Sequence, residues 1–122
     1  MPRARAVGQA ARIFIGEADR IKGKPLYEVI VRTAREMGLP GATVFRGVEG
    51  FGARSVLHTA RILRLSEDLP ILIEVIDLPQ RLEPFLETID ELLDQAGCSA
   101  LITLEDVRII RYGPRTKSAS SS

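Results

Sequence analysis

Residues 70–76, PILIEVI, are a β-branched and nearly continuous apolar run, typical of a buried central strand. What flanks the run decides which sheet it can join. Downstream, Asp77 can cap a helix with Pro79 at its first position. That helix would bury Leu82, Phe85, Leu86, Ile89, Leu92, Leu93 and Ala96 on one face and end at Gly97. Pro84 conflicts with an unbroken helix, so the spacing predicts either a kink or a start near Glu83. Ser99–Thr103 and Val107–Tyr112 then read as strands parted by the acidic pair Glu105-Asp106.

Upstream, Ala42–Val48 reads as a strand through Thr43, Val44 and Phe45. Before it, the apolar positions Leu26, Val29, Ile30, Ala34 and Met37 have helical spacing, opened by Pro25 and closed by Gly38. Ala10–Glu17 is the first strand, followed by a turn with Gly23. The order strand, helix, strand, strand, helix, strand predicts an α+β, ferredoxin-like βαββαβ fold. Its four-stranded antiparallel sheet would carry both helices on one face. The other face needs a cover if it is apolar, and sister subunits are the simplest one.

The 122 residues suit one domain, with residues 1–9 and 114–122 expected to be disordered around a folded 10–113. A net charge of +1 gives no global case for nucleic acid, and no apolar run of about 18 residues predicts a membrane span. MPRARAVGQAAR lacks the apolar core of a secretory signal, and Cys98 stands alone; both point to the cytoplasm.

Between the second and third strands lies GVEGFGARSVLHTARILRLS, residues 47–66. A connection this long is usually functional or disordered. Gly50-Phe51-Gly52 would let a ligand approach the backbone closely, or would simply end a strand. Arg46, Arg54, Arg61 and Arg64 could meet phosphate or carboxylate with paired donors, against the plainer reading of a solvated loop. Arg46 and Arg111 fall in strand candidates, which hold side chains more rigidly. His58 lacks the partners of a metal site or a general base and reads as a surface or interface residue. Glu17, Asp19 and Glu49 form an acidic cluster only if the first two strands are adjacent. Phe14 and Phe45 read as core residues, because a nucleic-acid-reading sheet would show more aromatics and cations. With no nucleophile–base–orienter set in view, the expectation is a protein that is not an enzyme.

The run ATVFRGVEGFGAR after REMGLPG resembles the second strand and flexible-loop entry of PII-type signal-transduction proteins, with Gly50, Phe51 and Gly52 matching their Gly-Phe-Gly-Arg stretch. LPILIEVID, the helix from Pro79 and EDVRIIRYG resemble the later elements of that family. The opening GEADRIKGKPLYEVIVRTAREMGLPGATVFRGVEGFG is similar to the PII-like group known as the domain-of-unknown-function 190 family. The resemblance implies a homotrimer that binds a small anionic effector, an adenine nucleotide being the candidate, in subunit clefts and signals through residues 47–66. It implies a separate target protein, with a membrane transporter as candidate, and no required cofactor. Arg46, Gly50, Phe51, Gly52, Arg54 and Arg111 are the expected cleft residues. The chain departs from PII proteins in three ways. It has no tyrosine between Gly52 and Leu69, no lysine in QAGCSALIT, and Arg108 out of phase with a second closing-strand arginine. Those departures argue against ATP held in the PII manner and leave the anionic effector as the expectation. The alternative is a trimer like the divalent-cation-tolerance proteins, linked to metal or stress.

Overall fold

The computed structural model describes residues 6–49 and 68–111. Its elements are β1 (Ala6–Gly16), β2 (Arg20–Ile21), β3 (Lys24–Pro25), α1 (Leu26–Glu36), β4 (Thr43–Arg46), β5 (Pro70–Asp77), α2 (Pro79–Ala96) and β6 (Leu101–Ile109). The main sheet has the order β4-β5-β1-β6 with every neighbouring pair antiparallel, while β2 and β3 form a small separate hairpin. This is the ferredoxin-like arrangement, with PILIEVI at its centre.

Register decides which residues become core. Ile13 stands opposite Ile73 and Ile102, Ala11 opposite Val75, and Ile15 opposite Ile71. Under that layer α1 sets Leu26, Ile30 and Ala34, and α2 sets Leu82, Phe85, Ile89 and Leu93, all buried. Each large side chain withdrawn from water contributes about 1.5–3 kcal/mol before entropy is counted.

The ends of α2 follow the sequence closely. Pro79 sits at the start and Gly97 takes a left-handed conformation at φ 67, its N–H donating to the Leu93 carbonyl at 3.0 Å. The expected kink or late start at Pro84 does not occur: the helix is assigned unbroken through it, with the proline on the exposed side. Asp77 is not the side-chain cap of α2. Leu78 occupies the cap position, and Asp77 lies buried one residue earlier.

Three further expectations need correction. β1 begins at Ala6, so residues 6–9 belong to the sheet and not to a disordered lead. The last two strand candidates are one strand, because Glu105 and Asp106 alternate to opposite faces without breaking the ladder to Ala10 and Gln9. Arg111 lies two residues beyond β6 and is not held by a strand.

Candidate functional site

β1, β5 and β6 present Phe14, Leu72 and Leu101 side by side on the sheet face away from the helices, with Phe45 of β4 beside Leu72. Phe14 and Phe45 are therefore exposed on the open face and are not core residues. Phe45 keeps 47% of its surface and Leu101 keeps 58%, both on the outer strands of the sheet. The middle of this face is polar. Arg12 Nε donates to Glu74 Oε2 at 3.0 Å, and Arg12 Nη1 donates to Glu105 Oε1 at 2.7 Å. The hydrogen bond to Glu105, and then that to Glu74, raise the Arg12 pKa above its ordinary value. Two carboxylates around one guanidinium leave this face without the cationic surface that a nucleic-acid-binding sheet requires.

One end of the sheet gathers the residues next to the 47–66 segment. Arg46 closes β4 and forms an ion pair with Glu17, which follows β1. The two strands are not adjacent, since β5 lies between them, yet the side chains meet beyond its start. The Glu17 N–H donates to the Leu69 carbonyl at 2.8 Å, and the Gly47 N–H donates to the Pro70 carbonyl at 2.8 Å, extending both ladders by a step. Gly47 is needed here for space: a Cβ would lie 2.7 Å from the Pro70 ring. The Gly16 N–H donates to Asp19 Oδ2 and the Ala18 N–H to Asp68 Oδ1. The adjacency on which an acidic cluster of Glu17, Asp19 and Glu49 depended is absent, and Glu17 and Asp19 instead take part in turn contacts, with Asp68 beside them, and one arginine pair.

Arg111 lies at the opposite end. Arg46 aligns through Ile71 with Ile15, whereas Ile109 aligns with Ala6. Nine residues of β1 separate those levels, about 30 Å at the rise of a strand. β4 and β6 are also the two outer strands. One chain therefore does not bring Arg46 and Arg111 together. Gly50, Phe51, Gly52 and Arg54 lie outside the described residues.

Near the Arg111 end, the fully buried Asp77 accepts from the Leu78 N–H and from Arg81 Nε, and Arg81 reaches on to the Gly38 carbonyl. Sequence reasoning singled out neither Arg12 nor Arg81. A lone arginine opposite glutamate in register would have been the signal for Arg12, and i,i+4 spacing from Asp77 the signal for Arg81. No group of three His, Cys, Asp or Glu side chains suited to a metal ion occurs among the described residues. No helix among them is long and apolar enough to cross a membrane.

Comparison with known proteins gives this geometry a setting. A UPF0166 protein of Aquifex aeolicus (strain VF5) is 38% identical over 99 residues, covering 81% of this chain and 90% of that protein. The structure of CPII, a nitrogen regulatory PII-like protein from Thiomonas intermedia K12 bound to ADP, AMP and bicarbonate, superposes with a TM-score of 0.64. It is 16% identical and covers 87% of this chain and 91% of the other. A phage SAM lyase bound to S-methyl-5'-thioadenosine shares the fold more loosely, with a TM-score of 0.50, 19% identity, and 92% and 91% of the two chains covered. The fold is therefore PII-like, and it serves both a regulatory protein and an enzyme. The DUF190 family model, described as uncharacterized ACR, matches residues 8–109, and the chain belongs to that family.

Proposed function

We propose that the chain is a PII-like regulatory protein. In this reading three copies cover one another's open sheet faces. The clefts between copies take a small anionic effector, an adenine nucleotide in the first instance, and residues 47–66 carry the output. The observation that carries this reading is the separation of Arg46 from Arg111. Two cations about 30 Å apart in one chain can serve one ligand only when different copies supply them. The apolar patch of Phe14, Phe45, Leu72 and Leu101 supplies the reason for copies to associate. CPII, with ADP and AMP bound, shows that a protein of this fold accommodates such ligands.

The effector would act by population shift, favouring one arrangement of the output segment by no more than its differential affinity for the two. Isothermal calorimetry with ADP and AMP tests the reading. Saturable binding that Arg46→Ala and Arg111→Ala each weaken supports it, and absence of binding to either nucleotide counts against the effector class. The metal-linked alternative gains nothing from the described residues, and the lyase likeness rests on fold alone.

A further inference from the structure

We infer that Glu17 competes with the effector for Arg46, so that an anion reaches this guanidinium only as the Glu17 carboxylate lets go. The inference rests on the reading that Arg46 serves an anionic ligand. Arg46 Nη2 and Glu17 Oε2 are 2.5 Å apart, with the arginine side chain 55% exposed and the glutamate 22%. The cation thus faces solvent while its partner lies beneath it. Among the described residues only Arg46 pairs with the Glu17 side chain. Its Oε1 atom is buried and has no hydrogen-bond partner among the described residues. The nearby backbone donors are already committed: Gly16 N–H to Asp19, Glu17 N–H to Leu69, and Ala18 N–H to Asp68.

With Oε1 unpaired among the described residues, Glu17 holds Arg46 through Oε2 alone, a single-point contact where a carboxylate can offer guanidinium two. Guanidinium, by contrast, offers a planar fork that a phosphate can engage with two parallel hydrogen bonds. Exchange would leave Arg46 on the phosphate and free Glu17 to accept from a hydroxyl or amino donor of the same ligand. Such a ligand carries both an anionic group and hydrogen-bond donors. Glu17 then sets the affinity, because each binding event must first break its pair with Arg46.

The test is a titration of the full chain, labelled with nitrogen-15, against inorganic pyrophosphate and separately against ADP. It follows the side-chain Nε signal of Arg46, assigned by its loss in Arg46→Ala. The arginine half of the pair meets solvent, which limits what the pair is worth, so Glu17→Gln should tighten pyrophosphate binding by about two- to fivefold. Glu17→Ala, which also removes the hydrogen-bonding group, should shift it in the same direction. Equal or weaker binding by both variants overturns the inference, as does a failure of pyrophosphate to move the Arg46 signal in any of the proteins. If pyrophosphate behaves as expected and ADP does not bind, the competition stands and the nucleotide reading falls. If ADP binds without moving the Arg46 signal, the competition falls and nucleotide binding stands.

Discussion

Asp77 and Arg81, one helical turn apart, form an ion pair at 2.7 Å in which the carboxylate has no exposed surface and the guanidinium is nearly half exposed. The pair fastens the end of β5 to the first turn of α2, and Arg81 extends the tie to the Gly38 carbonyl just past α1. Removing the arginine leaves a buried carboxylate short of a partner, which is costlier than losing an exposed pair. Arg81→Ala should lower unfolding free energy by about 1–3 kcal/mol, less than for a wholly buried pair because Arg81 itself meets solvent. Urea denaturation measures it, and a loss under about 0.5 kcal/mol would contradict the tie.

Pro84 interrupts the hydrogen-bond ladder of α2 without breaking the helix, and its ring lies on the exposed side. Restoring the missing N–H should therefore stabilise the protein. The gain is reduced because proline also restricts the unfolded chain. Pro84→Ala is expected to add about 1–2 kcal/mol, visible as a higher denaturation midpoint with an unchanged slope. A lower midpoint would mean that the proline makes a contact the helix needs.

Much of this fold is legible along the chain because helical spacing and apolar runs are local signals. Phe85, Ile89 and Leu93 announce their buried face by spacing alone, and Gly97 announces the helix end. Beyond the local misreadings at Asp77 and Pro84, what failed depended on partners distant in sequence. Glu105 looked like an interruption of a strand, but it stands opposite Ala10 in the ladder and accepts from Arg12, 93 residues away. Phe14 alternates correctly with Ile13 and Ile15, yet alternation does not say which face the helices will cover. Of the expected cleft residues, Arg46 could be located but its pairing with Glu17 could not. That contact spans an intervening strand which no spacing rule reveals.

Gly47 touches Pro70 so closely that an added methyl would sit 2.7 Å from the ring. Gly47→Ala should cost about 1–3 kcal/mol as β4 and β5 separate locally to admit it. Hydrogen exchange should show the change at the Gly47 amide, which donates to the Pro70 carbonyl. Unchanged protection there would show that the strands give way without strain.

If different copies supply Arg46 and Arg111, two defective chains can repair one another. Arg46→Ala and Arg111→Ala chains, unfolded and refolded together, should recover part of the ADP binding that each lacks alone. A site built within one chain would show no recovery, because no mixed assembly would unite both arginines in the same copy.

Coverage of the open sheet face by other copies underlies the proposed clefts. Sedimentation equilibrium of the full chain and of Phe45→Asp measures this directly. The substitution falls on a side chain that a single copy leaves 47% exposed, so the folded chain should keep its helical circular dichroism. The unsubstituted protein should sediment at three times the mass of the chain, and Phe45→Asp should shift toward one. A stable single copy of the unsubstituted protein, or a trimer indifferent to Phe45→Asp and to Leu101→Asp, would contradict the account.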